Sequence, residues 1–322
     1  MHFPVSDVDV FPLIPPIIAF VISFFTSMGG VSGAFLLLPF QVSVLGFTSP
    51  AVSATNLVYN IVAIPSGVYR YIREGRMAWP LTWVVVMGTL PGVFIGAIIR
   101  VKYLPDPKAF KLFVGCVLFY IGIRLIYEAT GGYTRGREKL KALEAKFKER
   151  VNMLRKKQSA TVASGLSPEA VVKTICFSFK KYEYEFWGES FSFNTLILFT
   201  LAFIVGIIGG IYGIGGGAII APFCVTFFGL PIYTVAGAAL MGTFLTSIAG
   251  VGYYSGIAPI YAHLGMTVAP DWLLGFLFGV GGFLGMYCGA RVQKFIPERM
   301  IRLILGLVVT ALSLRYILQY FI

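Results

Sequence analysis

The chain has 322 residues, of which 57% are hydrophobic and only 12% charged, and its formal net charge is +12. That balance excludes an ordinary soluble domain, in which apolar residues form stripes between charged ones. The cations sit at the ends of apolar segments and in one central stretch. This is the pattern of the positive-inside rule and of anionic lipid, and it argues against nucleic acid as a partner.

Whole windows of about twenty residues lack charge, and the short alternating segments of a β-barrel are absent. The fold class read here is all-α: a multi-pass protein of the cytoplasmic membrane. Met1 to Pro12 carries Asp7 and Asp9 but no Lys or Arg. Without a positive n-region, no cleavable signal peptide is expected.

Apolar segments run from Phe11 to Met28, Val31 to Phe47, Pro50 to Ile72, Met77 to Ile99 and Phe110 to Tyr127. A second set runs from Leu196 to Tyr212, Gly216 to Leu230, Ile232 to Tyr254, Pro270 to Arg291 and Met300 to Ile322. The first pair in each set is short. Sixteen or seventeen helical residues reach roughly 25 Å against a core of about 30 Å. Pro39 and Pro222 interrupt the second member of each pair. Each pair is therefore either two bent spans or a hairpin that enters and returns.

Arg70, Arg73 and Arg76 mark one loop as cytoplasmic, and Arg291, Lys294, Arg299 and Arg302 mark another. The loops from Gly46 to Pro50 and from Ser255 to Pro270 have no Lys or Arg, as an outer face should. Arg100, Lys102, Lys108 and Lys111 fall outside in this scheme, against the rule. An odd number of segments per set then predicts an inverted repeat of residues 1–130 and 191–322, the architecture of alternating access.

Residues 131–190 form a cytoplasmic insertion. Arg135 to Lys157 reads as a charged surface helix with a sparse apolar face, and Ser167-Pro168-Glu169 as a helix start. Thr174 to Phe186 alternates polar and apolar residues and predicts a small hairpin.

The repeat is visible directly. Shifting the chain by 183 places aligns Gly30 to Ala34 with Gly213 to Gly217, Pro39-Phe40 with Pro222-Phe223, and Tyr71 with Tyr254. After a ten-residue insertion, Gly88, Gly92 and Gly96 match Gly281, Gly285 and Gly289. Glycine costs helix stability, so the glycine stretches read as breaks, and matched breaks point to a transporter site. The four-residue glycine ladders read as places where helices approach closely.

No motif for hydrolysis, nucleotide binding or metal ligation is present, and no cofactor is expected. Cys116, Cys176, Cys224 and Cys288 have no paired spacing and read as buried apolar thiols. Asp271 and Glu128 lie at span ends, where they can be solvated, and no carboxylate falls within a span to couple protons or cations. What remains is neutral: Thr55, Asn56 and Asn60, with Ala238, Ala239 and Thr243 at the repeat positions. Amide N–H groups and hydroxyls suit a small oxyanion. The expected binding set is Gly29, Gly30, Ser32, Gly33, Thr55, Asn56 and Asn60 from the first half. From the second half it takes Gly213, Gly215, Gly216, Gly217 and Thr243.

These residues together resemble the TauE/SafE sulfite exporter family. The likeness rests on the two glycine-rich breaks, each followed by Pro39 or Pro222, and on Ala54-Thr55-Asn56-Leu57. It also rests on Pro65-Ser66-Gly67-Val68-Tyr69-Arg70-Tyr71, Gly75, Trp79, the Gly88 to Gly96 run and Leu104-Pro105. It covers both halves but not the central insertion. The resemblance implies a non-enzymatic carrier exporting sulfite or an organosulfonate. The expected partners are that substrate and membrane lipid, with a homo-oligomer left open. An anion channel and a membrane-embedded thiol-based sulfur relay stand as alternatives.

Overall fold

The computed structural model describes residues 1–28, 32–73, 77–130, 172–178, 181–186, 188–217, 219–292 and 298–321. The predicted helix over Arg135 to Lys157 and the helix start at Ser167 lie outside the described residues. A two-residue ribbon, β1 (His2–Phe3) with β2 (Val8–Asp9), precedes α1 (Ile14–Met28) and α2 (Ala34–Ser43). Then come α3 (Ala51–Ala63), α4 (Pro65–Arg73), α5 (Trp79–Lys102) and α6 (Pro107–Ala129). After a small sheet, the second set is α7 (Thr195–Tyr212), α8 (Ile220–Phe228), α9 (Ile232–Ala262), α10 (Trp272–Val292) and α11 (Glu298–Phe321).

Seven helical stretches among the described residues are long and apolar enough to cross a membrane. Large apolar side chains such as Trp83, Met87, Phe276 and Leu307 point out of the bundle, as lipid-facing positions do. The chain is a multi-pass helical membrane protein.

The glycine ladders set the helix pairs. A Cβ on Gly88, Gly92 or Gly96 of α5 would lie within 3 Å of the carbonyls of Phe199, Phe203 and Ile207 of α7. A Cβ on Gly281, Gly285 or Gly289 of α10 would meet those of Pro16, Phe20 and Phe24 of α1 in the same way. Phe199, Phe203 and Ile207 are the positions that the 183-residue shift aligns with Pro16, Phe20 and Phe24. Each half thus lends its broken helix to the other half's ladder. Close small-residue contact of this kind is how helices associate where the solvent is as apolar as the side chains.

Helix directions follow from the contacts. Ala51 N donates to Thr267 O, Asp271 N to Thr55 Oγ1 and Ser6 N to Asp271 Oδ2. The start of α1, the start of α3, the end of α9 and the start of α10 therefore share one end of the bundle. Arg100 Nη2 donates to Thr48 O, so the chain leaving α2 and the end of α5 lie there too. At the opposite end the Phe193 ring, just before α7, packs on Phe228 at the end of α8 with centroids 5.8 Å apart. The start of α1 and the chain leaving α2 thus lie at one end of the bundle, and the start of α7 and the end of α8 at the other.

Three expectations need adjusting. The third apolar segment is two helices, because Pro65 has no N–H to continue α3 and starts α4 instead. Helix α9 runs on to Ala262 through Pro259, eight residues beyond the expected Tyr254. The expected hairpin is present as β3 (Lys173–Phe177) and β4 (Tyr182–Phe186), but a third strand, β5 (Glu189–Phe193), pairs with β4. The sheet turns Tyr182, Tyr184 and Phe186 inward. Burial pushes the Tyr184 phenol above its ordinary value, so it stays protonated and shares a 2.8 Å hydrogen bond with Thr234 Oγ1 at the start of α9.

Candidate functional site

The second glycine break is buried throughout, from Ile211 to Gly217. Asn194 caps the start of α7, accepting from Leu196 N at 3.0 Å and Ile197 N at 3.2 Å. The helix ends where Gly213 turns left-handed (φ +83°) and donates its N–H to Gly209 O at 2.8 Å. Gly215 is left-handed too, at φ +75°. A Cβ on Gly213 would lie 2.3 Å from Ser53 O, and one on Gly217 2.1 Å from Ala239 O. On Gly216 it would meet Thr89 Cβ at 2.3 Å. The break is pressed between α3, α5 and α9, and nothing larger than glycine fits.

A helix end leaves carbonyls without partners, and in hydrocarbon they must find donors. Here the donors come from side chains. Ser53 Oγ donates to Ile211 O at 2.9 Å, and Tyr254 Oη to Gly210 O at 3.0 Å. Asn60 Nδ2 donates to Ile214 O at 3.1 Å. Asn56 Nδ2 donates to Gly213 O and to Ala34 O, both at 3.0 Å. Since Ala34 opens α2, this one amide joins the breaks of both halves. Gln41 Nε2 in turn donates to Asn56 Oδ1 at 3.3 Å. On the far side Gly216 N donates to Thr246 Oγ1 at 3.1 Å, while Thr243 Oγ1 donates to Ala239 O within its own helix.

The structure thus gathers Asn56, Asn60, Gly213, Gly215, Gly216, Gly217 and Thr243 around one turn. The amide donors of Asn56 and Asn60 are engaged by carbonyls in this arrangement. Ser32 and Gly33 stand at the start of α2: Ser32 Oγ accepts from Ala34 N at 3.3 Å. A Cβ on Gly33 would meet the hydroxyls of Tyr59 and Ser23. Gly29 and Gly30 lie outside the described residues. Thr55 is elsewhere, at the end of the bundle, where its hydroxyl accepts from Asp271 N at 2.9 Å.

Several participants were not singled out from sequence. Gln41 and Tyr254 complete the clasp, and a lone amide in the apolar Ala34–Ser43 helix is the signal that could have found Gln41. Asn60 Oδ1, Gln41 Oε1 and Ser247 Oγ are buried around the turn without a hydrogen-bond partner in this structure.

Two charged residues depart from expectation. Asp271 is buried rather than solvated: its Oδ1 caps α10 through Leu274 N at 3.0 Å, and Oδ2 accepts from Ser6 Oγ at 2.8 Å. Arg100 is fully buried, with its guanidinium 3.7 Å above the Phe110 ring, so it does not present its charge to the outer surface. Among the thiols only Cys224 is fully buried, whereas Cys116 and Cys176 are exposed. No cluster of metal-ligating side chains occurs among the described residues.

The model of the sulfite exporter TauE/SafE family matches residues 16–316. A probable membrane transporter protein of Bacillus subtilis, YunE, is 24% identical over 130 residues, 40% of this chain and 44% of that protein. A second from the same organism, YdhB, is 28% identical over 108 residues, 33% of this chain and 39% of its own. A probable membrane transporter protein of Methanocaldococcus jannaschii is 28% identical over 121 residues, 36% and 42% of the two chains. The chain spans less than half the length of each of these curated relatives. No solved structure matches it.

Proposed function

Since the chain belongs to the sulfite exporter TauE/SafE family, we propose that it carries a small sulfur-containing anion, sulfite or an organosulfonate, out across the cytoplasmic membrane by alternating access. The observation that carries this reading is the pair of matched breaks joined through the Asn56 amide to Ala34 O and Gly213 O. The reciprocal ladders, α5 on α7 and α10 on α1, support an inverted repeat of residues 1–130 and 191–322. Rocking one half against the other opens the breaks alternately to either side.

The proposed site is made of Ser32, Gly33, Asn56, Asn60, Gly213, Gly215, Gly216, Gly217 and Thr243, with Gly29 and Gly30 completing the set; Thr55, whose hydroxyl is taken by Asp271 N, is left out of it. As the halves separate, Asn56 and Asn60 release the carbonyls of Gly213 and Ile214 and turn their N–H groups to the anion. The anion then replaces the carbonyls of Gly213 and Ile214 as acceptor for these two amides. A cell interior at −100 mV favours anion exit by about 2.3 kcal/mol per charge, or about 4.6 kcal/mol for a dianion. Export needs no coupling ion on this account.

The test is efflux of sulfite from loaded proteoliposomes after an interior-negative potential is set with potassium and valinomycin. Expected are saturation, acceleration with potential, counterflow of labelled substrate, and failure of Asn56→Ala and Gly216→Leu. Flux that never saturates and shows no counterflow would make the protein a channel. Absence of sulfite, sulfonate and thiosulfate efflux alike would overturn the substrate class.

A further inference from the structure

A cleft of about 260 Å³ lies between the first turns of α6 and the last turns of α11, lined by Lys108, Lys111, Tyr316, Gln319 and Tyr320. Lys108 and Lys111 are three residues apart, neighbours on one side of α6. Their placement is unfavourable in three ways. They stand at a helix N-terminus, where the dipole disfavours cations. They are like charges side by side. They also lie at the end of the bundle that carries the Lys- and Arg-free loops, against the positive-inside rule.

No carboxylate pairs with either lysine among the described residues. Asp106, the acidic residue closest in sequence, caps α6 by accepting from Ala109 N at 2.9 Å. Arg100, at the end of α5, is not among the lining residues: it is buried, held by the carbonyls of Thr48 and Leu104 and by the Phe110 ring. The residues that line the cleft therefore supply two cations with hydrogen-bond donors around them, and no acidic side chain is among them.

Its floor is Tyr316, which is fully buried. The Tyr316 hydroxyl donates to Pro39 O of the returning helix α2 at 3.0 Å and shares a hydrogen bond with Ser43 Oγ. An occupant of the cleft would thus rest on the side chain that holds α2.

We propose that this cleft binds an oxyanion, gripped by Lys108 and Lys111 and hydrogen-bonded by Gln319 and Tyr320. The phosphate of an anionic phospholipid and a free sulfur or phosphorus oxyanion share that chemistry. Tyr320, exposed at a helix end, suits the headgroup level of a bilayer. The site does not rest on the transport reading, because it is assayed without flux.

The full chain is placed in nanodiscs of phosphatidylcholine alone and titrated with sulfite, sulfate and phosphate, followed by tyrosine and tryptophan fluorescence. In parallel, retention of phosphatidylglycerol through delipidation is measured by native mass spectrometry. The same is done for Lys108→Gln/Lys111→Gln and Lys108→Arg/Lys111→Arg. Loss of two charge-assisted contacts should weaken binding about tenfold or more in the glutamine variant, with the arginine variant close to wild type. An effect confined to the titration identifies a free anion, and one confined to retention identifies a lipid headgroup. Equal behaviour of wild type and glutamine variant in both arms overturns the proposal. Each lysine replaced singly provides the comparison should the double variant elute as aggregate.

Discussion

The side-chain amide of Asn56 donates to the carbonyl of Gly213 at 3.0 Å, across 157 residues of sequence. Its second N–H goes to Ala34 O, so one residue holds both helix breaks. Removing it leaves two buried acceptors unpaired, at about 1–3 kcal/mol each. Asn56→Ala should lower the thermal midpoint in detergent clearly and abolish sulfite efflux. Asn56→Asp keeps the shape but brings an acceptor against carbonyls, and should melt no later than the alanine variant. A wild-type midpoint for both would mean that the clasp does not hold the breaks.

The ladders predict matched damage in the two halves. A Cβ on Gly92 would lie 2.4 Å from Phe203 O, and on Gly285 2.3 Å from Phe20 O. Each is backbone that cannot yield without separating helices. Gly92→Ala and Gly285→Ala should each cost about 1–3 kcal/mol, by nearly equal amounts. Gly252 in α9 has open space around it, so Gly252→Ala should be neutral or stabilising by up to about 1 kcal/mol. Thermal unfolding of the three variants side by side checks this. A large loss in one half with none in the other would break the equivalence.

Asp271 offers a test of a buried carboxylate used as a cap. Its Oδ1 accepts from Leu274 N, and Oδ2 takes both the hydroxyl and the N–H of Ser6. Asp271→Ala should cost about 1–2 kcal/mol, as loss of an N-cap does, and release the N-terminal ribbon to proteolysis. Asp271→Asn keeps one acceptor oxygen for the cap and should lose less. Equal losses would show that charge, not capping geometry, is what the position requires.

Much of this arrangement was legible because repetition survives in glycine. The 183-residue shift found the breaks, and the ladders at Gly88 to Gly96 and Gly281 to Gly289 are the contacts that the structure uses. What could not be read was which partner each polar group takes. Asn56 and Asn60 stand four residues apart on one face, but sequence cannot say that their amides meet carbonyls 157 and 154 residues away. Arg100 reads as a loop charge because it sits near a span end, yet the Phe110 ring and two carbonyls draw it inside. Asp271 departs from its expected solvated position for the same reason. Position along a segment does not reveal what folds over its end, and here the ribbon bearing Ser6 does so.

The cysteines report which face carries the sheet. Cys176 is exposed on β3, Cys224 is fully buried in α8, and Cys116 is exposed only on the outer wall of α6, within a membrane-spanning helix. A membrane-impermeant maleimide reaches only thiols that are open to water. Three variants, each keeping one of these cysteines, are treated with a membrane-impermeant maleimide in inverted and in right-side-out vesicles. With the Lys- and Arg-rich loops inside, Cys176 should label in inverted vesicles alone, while Cys224 and Cys116 stay unlabelled in both. Labelling of Cys176 from the outside would reverse the orientation of every helix, and with it the side on which the Lys108–Lys111 cleft opens. Labelling of Cys116 from either aqueous phase would mean that the outer wall of α6 faces water, against its place among the spans.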